Sequence, residues 1–355
     1  MNNKKDTQIL LLSLLMTSIV LGGAFWGINY FGIWQFSQNK DSQPSDSQVN
    51  QNNSEDKTSG TPKDFFRQVN NVPSGLFNYG GSTTWAPIRQ QVDSVIQSVY
   101  PNFRLRYTDP INGNAGSGTG IKMLLNGQLA FSQSSRSLKS EEYQEAKNKG
   151  FNLKEIPVAI DGIAIAVNPN QKTTGLTISQ LQDIYVGKIR NWSEVGGENI
   201  PIIPYSRRKE AGGTVDFFIE NVMNEQEFGA NIEYIDTTTQ ALRKVADNLG
   251  GIYYASAPEV VPQCSIKTLP IGVKTDQLIP PYQSPFVPLS QCPKLRNQLN
   301  QSGFQSGEYP LTRRLFVIVK ENGEDDEKAG LTYAELMLTN QGQTLIKQSG
   351  FIPIR

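Results

Sequence analysis

Three times in this chain a short apolar run ends in glycine and hydroxyl residues and passes straight into a helical pattern. The first case is Phe77-Asn78-Tyr79-Gly80-Gly81-Ser82-Thr83-Thr84-Trp85-Ala86-Pro87-Ile88, with a helix expected over residues 87–99. The second is Gly116-Ser117-Gly118-Thr119-Gly120. The third is Ser206-Arg207-Arg208-Lys209-Glu210-Ala211-Gly212-Gly213-Thr214, between a strand over residues 200–205 and a helix over residues 214–222. Strand, tight turn and helix start make an α/β unit. The first backbone N–H groups of a helix lack internal partners, and the helix dipole favours a negative charge beside them. In α/β sheets ligands lie beyond the carboxyl ends of strands, which is where these turns fall.

Each turn also has a plainer reading. One of Ser82, Thr83 and Thr84 can be an N-cap, the 116–120 turn can be a flexible connection, and the 206–214 turn can be an exposed basic loop. A Walker-type phosphate loop needs Lys-Ser/Thr straight after its last glycine; here Ile121 intervenes before Lys122. A fourth segment, Phe131-Ser132-Gln133-Ser134-Ser135-Arg136, again places hydroxyls and an arginine after a strand. Together the four segments offer neutral donors and fixed positive charge, and none offers a nucleophile–base pair. That chemistry suits a small tetrahedral oxyanion.

Composition removes the competing chemistries. The formal net charge is +0, so there is no basic footprint for nucleic acid. The chain has no histidine, which excludes histidine acid–base catalysis and the commonest metal ligand. The two cysteines, Cys264 and Cys292, do not have metal-site spacing, and no metal or cofactor is expected. With 355 residues there is room for two lobes.

Lys4 and Lys5 precede a run without charge from Thr7 to Asn39, mostly apolar between Ile9 and Trp34. That suffices for a membrane-spanning helix of ~20 residues. The flanking lysines place the N-terminus in the cytoplasm and the bulk of the chain outside. A signal peptide has a shorter apolar core of ~7–15 residues. Residues 1–35 are therefore expected to be a retained anchor, with cleavage near Gly22-Gly23-Ala24 as the alternative. Export puts the cysteines in an oxidising space and predicts a Cys264–Cys292 disulfide, the alternative being two free thiols in a reduced compartment. Closing that loop stabilises by roughly 3–4 kcal/mol on the chain-entropy model. Residues 36–72, rich in Gln, Asn, Ser and Asp, read as a polar disordered tether.

Further along, period-2 and apolar runs predict strands over residues 103–107, 129–132, 155–160, 163–167, 252–254 and 312–320. Asp161-Gly162 reads as a turn splitting two of them. Helices are expected from 121, and over 140–149, 178–185, 240–248, 333–338 and 342–348.

Quoted in order, YGGSTTWAPI, GSGTGIK, FSQSSRSLKSEE, AIDGIAIAVNP, LTISQLQDIYVGKIRNWSEVGGENIPIIPYSR, EAGGTVDFF and LTNQGQTLIKQSGFIPIR resemble the periplasmic phosphate-binding proteins of ABC phosphate importers. The likeness covers about residues 74–355, and the LQDIYVGKIRNWSEVGG run is its most specific part. The resemblance implies an α/β, two-lobed periplasmic-binding-protein fold of type II. Each lobe would be a mixed sheet flanked by helices, joined by two hinge strands, closing on phosphate. Lobe I would take residues 73–160 plus 270–355, and lobe II residues 161–269. First-lobe ligands would be Thr83, the Thr84 backbone and Ser117, with Ser82, Ser135 and Arg136 beside them. Second-lobe ligands would be Arg208, Gly212, Gly213 and Thr214. Some members carry a carboxylate where Ser135 stands here, to accept the phosphate's proton; Asp161 is the expected substitute. Many have Ser-Gly-Thr where this chain has Gly212-Gly213-Thr214, so one hydroxyl is lost.

The resemblance implies a binding protein that hands phosphate to an ABC permease; with the apolar N-terminal run it is expected to be a monomer outside the cytoplasm, tethered to the inner membrane by its N-terminal helix. A membrane-tethered oxyanion sensor acting through a partner protein is the alternative. An enzyme, such as a phosphatase, is not expected without histidine, a metal cluster or a serine-centred triad.

Overall fold

The computed structural model describes residues 63–209 and 212–354. The expected anchor and most of the expected tether lie outside them. The strands are β1 (Gly75–Gly81), β2 (Phe103–Tyr107), β3 (Phe131–Ser134), β4 (Asn152–Val167), β5 (Leu176–Thr177), β6 (Ile203–Ser206), β7 (Glu233–Tyr234), β8 (Gly251–Ser256), β9 (Lys267–Leu269), β10 (Ile271–Gly272), β11 (Thr312–Glu321) and β12 (Ile352–Pro353). Ten of them form one mixed sheet, ordered β2-β1-β3-β11-β4-β8-β6-β7, with β9 and β12 also on β4; β5 and β10 pair separately. The fold is α/β, and the strands carrying the glycine–hydroxyl turns run parallel to a neighbour: β1 with β2 and β3, and β6 with β7 and β8.

The strand β4 joins two halves. Its residues 152–162 pair with β11 and its residues 163–167 with β8, all antiparallel. On one side of this change of partner Tyr79, Trp85, Ile88, Phe131, Val317 and Tyr333 form a buried cluster. The Phe131 and Tyr333 rings stack with centroids 4.7 Å apart. On the other side Ile165, Trp192, Phe218, Ile252 and Tyr254 form a second cluster. There the Phe218 and Tyr254 rings stack at 3.7 Å. Each buried aromatic or aliphatic side chain contributes about 1.5–3 kcal/mol by leaving water. Ile271, Phe304, Tyr309 and Leu311 pack on the second cluster, while Leu315, Val317 and Val319 of β11 pack on the first.

The expected turn at Asp161-Gly162 is absent: β4 is one sixteen-residue strand. A mid-strand aspartate is tolerated because its carboxylate is held by Arg313 and Ser256. Gly162 lies under the Phe304 ring, where any Cβ would collide. The helix expected from Ile121 starts four residues earlier, at Ser117, so much of the glycine–serine turn is the helix's own first turn. The strand expected over 129–132 is Phe131–Ser134, which puts Ser135 and Arg136 just past its end. The expected tether ended at residue 72, yet Phe66 and Val69 are buried, and the Tyr100 hydroxyl donates to both of their carbonyls. The segment is also held by the N–H groups of Asn340 and Gln341, which donate to the Lys63 and Asp64 carbonyls at 2.9 Å each.

The Cys264–Cys292 disulfide is present, with Cα atoms 5.8 Å apart. Among the described residues no helix is long and apolar enough to cross a membrane.

Candidate functional site

The three glycine–hydroxyl turns meet. Ser82, after β1, donates its Oγ–H to Ser135 Oγ at 3.0 Å. The Ser135 and Ser117 hydroxyls are 3.2 Å apart, and Ser135 N–H donates to Ser117 Oγ at 3.0 Å. The third turn closes onto this serine cluster. Gly213 lies so near that a Cβ there would collide with the Ser135 hydroxyl, and one on Gly116 would come within 3.1 Å of Gly212 Cα. The helices Ser117–Leu125 and Gly213–Asn221 thus point their N-termini at each other. Two positive dipole ends and two sets of unpartnered N–H groups converge where a negative charge would be stabilised.

Arg313, the second residue of β11, ties the halves together. Its cross-strand partner is Asp161. Arg313 Nε and Nη2 reach Asp161 Oδ2 at 2.9 and 2.7 Å, Nη1 donates to the Gly213 carbonyl at 2.9 Å, and Nη2 donates to Thr84 Oγ1 and Thr214 Oγ1 at 3.2 and 3.1 Å. Ser256 Oγ donates to the other carboxylate oxygen of Asp161 at 2.8 Å. One guanidinium fork therefore holds a threonine from the first turn, a threonine from the third, and the acid of β4. The first turn is further braced by Arg89, which donates to the Ser82 carbonyl and to Gln133 Oε1.

Beside Arg313 lies an inner cavity of about 20 Å³, lined by Thr83, Thr84, Arg207, Thr214, Thr238 and Glu259, with Tyr253 also on its wall. An outer cavity of about 350 Å³ shares Thr83 and Arg207 with it and adds Arg208 and Asp236. Thr238 reaches the wall because it opens the helix Thr238–Asp247, whose start is fixed by Thr237 accepting from Gln240 N–H at 3.2 Å. Glu259 comes from the short helix Ala257–Val260 that follows β8. Burial pushes the Glu259 carboxyl up from its ordinary range, and the charge of Asp161 adds to the effect. Among the described residues no group of acidic, cysteine or histidine side chains could hold a metal ion.

The expected site residues divide. Ser82, Thr83, Thr84, Ser117, Ser135, Gly212, Gly213 and Thr214 come together. Asp161 lies behind Arg313 and does not line the inner cavity. Arg136 turns away: its fork binds Glu142 at 2.7 and 3.0 Å and lines a separate cavity with Phe217 and Arg314. Arg208 is exposed, its guanidinium 5.0 Å from the centroid of the Tyr234 ring. Its neighbour Arg207 lines both cavities, and its buried Nε has no hydrogen-bond partner among the described residues.

Arg207, Arg313, Thr238 and Glu259 were not among the expected ligands. For Arg313 there was a signal. A lone acid in the apolar run 156–167 and a basic pair opening the apolar run 312–319 are complementary charges, each of which needs a partner if buried. For Glu259 and Thr238 there was none, since neither belongs to a glycine–hydroxyl turn.

Comparison with known proteins bears on the same residues. A model of the PBP superfamily domain matches residues 51–341. The phosphate-binding protein PstS of Staphylococcus epidermidis is 29% identical over 274 residues, 77% of this chain and 77% of that protein. The PstS of Staphylococcus haemolyticus is 28% identical over 275 residues, 77% and 79% of the two chains. Among solved structures, a putative phosphate ABC transporter substrate-binding protein with bound phosphate from Clostridium perfringens superposes with a TM-score of 0.62 at 25% identity, covering 79% of this chain and 100% of that one. An ABC-type phosphate transport receptor from Vibrio cholerae shares the fold, with a TM-score of 0.61 at 21% identity over 78% of this chain and 99% of that one.

Proposed function

The chain belongs to the PBP superfamily, and from that premise we propose that it binds inorganic phosphate between its two halves and delivers it to an ABC importer. The observation that carries this reading is the meeting of the three turns. Ser82, Ser117 and Ser135 from one half face Gly213 and Thr214 from the other, with Arg207 and Arg313 beside them. Such a set hydrogen-bonds every oxygen of a small oxyanion while the halves exclude water, which strengthens each charge-assisted bond. The relatives and structural neighbours named above bind phosphate by name.

In this reading the phosphate ligands are Thr83, Thr84, Ser117 and Arg207, with the N–H groups at Gly213 and Thr214. Arg208 draws the anion into the outer cavity. Asp161 sets the Arg313 fork. The first lobe takes residues 73–160 and 312–354 and the second about 163–311, hinged where β4 changes partner. The protein acts as a monomer outside the cytoplasm, held at the membrane by residues 1–35, and is a carrier rather than an enzyme. Supporting the last point, the serine hydroxyls bond one another rather than a base.

Calorimetric titration of the full chain in detergent with phosphate tests the reading. One tight site per chain is expected. Absence of binding at millimolar phosphate would overturn it.

A further inference from the structure

The carbonyls of the first turn are held by donors that line neither cavity. The Tyr107 hydroxyl donates to the Gly81 carbonyl at 3.2 Å. The Ser82 carbonyl accepts from Arg89 Nη1 at 3.2 Å and from the Trp85 N–H at 3.3 Å. The Arg89 guanidinium lies 3.9 Å from the centroid of the Tyr107 ring and also donates to Gln133 Oε1 at 3.0 Å. A chain of bonds fixes that amide. Tyr333 gives its one hydroxyl proton to Asp93 Oδ1 at 2.9 Å, so its oxygen is the acceptor for Gln133 Nε2 at 3.0 Å, and Gln133 Oε1 is left facing Arg89. Tyr79 donates to the other oxygen of Asp93. The acid at the end of this chain thus takes its hydrogen bonds from two tyrosines, and the Arg89 donors go to the first turn and to β3.

The carbonyl that Arg89 holds belongs to the Ser82–Thr83 peptide, which is trans. In a trans peptide the C=O and N–H bonds point in opposite directions. With the carbonyl turned to Arg89, the Thr83 N–H is turned away from it. Thr83 opens a helical turn, so this N–H has no intrahelical partner, and Thr83 lines both cavities. A cation on the carbonyl oxygen draws electron density through the amide and makes the N–H a stronger donor, as happens along any chain of hydrogen bonds in series.

Resting on the phosphate reading above, we propose that Arg89, which touches no guest, is a positioning residue of the anion site: it fixes the Ser82–Thr83 peptide, and its charge strengthens the Thr83 N–H as a donor to the bound oxyanion. The serine cluster is tied into the same brace. Gln133 stands in β3 two residues before Ser135, and its carbonyl accepts from the Ser82 N–H at 2.8 Å. Arg89 therefore holds the two segments whose hydroxyls, Ser82 and Ser135, bond one another. A neutral side chain of similar length could keep the shape of the turn; the charge is what reaches the anion through the peptide.

The test is calorimetric titration of the full chain in detergent with phosphate, for wild type, Arg89→Gln and Arg89→Lys. Arg89→Gln keeps N–H donors and loses the charge, and should weaken phosphate binding about 5- to 30-fold. Arg89→Lys keeps a charge and a donor, and should stay within about threefold of wild type. A second readout follows the amide itself, in protein labelled with nitrogen-15 threonine. Adding phosphate to wild type should move the Thr83 amide proton downfield, and in phosphate-bound Arg89→Gln it should lie upfield of its wild-type position. The wild-type shift needs no variant to fold. Wild-type affinity in Arg89→Gln, a loss in Arg89→Lys as large as in Arg89→Gln, or a wild-type Thr83 amide unmoved by phosphate would each overturn the inference and leave the phosphate reading intact. A wild type that binds no phosphate removes both.

Discussion

Asp161 and Arg313 face each other across β4 and β11 as a buried ion pair, Nη2 to Oδ2 2.7 Å, at the point where β4 leaves one strand partner for the next. The pair is satisfied on every side by Ser256, Gly213, Thr84 and Thr214. Removing one member strands the other charge in the interior, at a cost of about 3–5 kcal/mol. Asp161→Asn and Arg313→Met should each destabilise by that order in urea denaturation, and the double variant should cost clearly less than the sum. Additive losses would mean that the two side chains do not stabilise one another.

The two arginines of the third turn should separate in calorimetry. Arg207 lines both cavities, and a hydrogen bond to a charged group contributes about 1.5–3 kcal/mol, so Arg207→Ala should weaken phosphate binding about 10- to 100-fold. Arg208 is exposed over Tyr234, and Arg208→Ala should change affinity less than about threefold at physiological salt. The reverse order would show that the turn rearranges to bring Arg208 inward.

The Gly213→Ala variant introduces a Cβ where the Ser135 and Ser117 hydroxyls now sit. Overpacking of this kind costs about 1–3 kcal/mol, and here it falls on the contact between the halves. Phosphate affinity should drop at least about tenfold, with little change in the far-UV circular dichroism. Wild-type affinity in this variant would mean that the turns need not touch.

Stability should depend on pH through Asp93. Burial raises its carboxyl from the ordinary value to about 6, against the hydroxyls of Tyr79 and Tyr333 that donate to it. The folded chain then binds this proton more tightly than the unfolded chain does. Asp93 therefore lowers stability as pH rises from about 4 to about 6, and has no further effect above. On going from pH 4.5 to 6.5 the urea midpoint should rise more, or fall less, in Asp93→Asn than in wild type; an identical change in the two proteins would remove Asp93 from the account.

Reducing the Cys264–Cys292 bridge frees a loop spanning a sequence separation of 28 residues. The loss expected from loop-closure entropy is roughly 3–4 kcal/mol. A thermal scan with and without reductant should show a lower midpoint on reduction, while the Phe218–Tyr254 stack and the cluster around it keep the surrounding half folded at 25 °C.

The amino-acid sequence by itself determined the α/β alternation, the three glycine–hydroxyl turns, the chemistry of an oxyanion site and the pairing of the cysteines. All of these depend on local pattern, on which residue types are missing, or on compartment. It also pointed to eight residues that the structure brings together. It misjudged what depends on partners distant in the chain. Asp161-Gly162 has the composition of a turn, yet it runs straight through β4, because Arg313, 152 residues later, supplies the charge that lets an aspartate stay in a strand. A near neighbour can also take a side chain out of the site: Arg136 has the composition of a ligand, yet Glu142, six residues on, holds its fork. Arg207 and Arg208 are equivalent as letters, and only the path of the backbone after β6 sends one into the cavity and the other onto Tyr234. Glu259 joins the wall because β8 and the helix after it pack beside the third turn. The tertiary structure decided these points because a buried charge takes its position from whatever compensates it in space, and that compensation is not written in neighbouring residues.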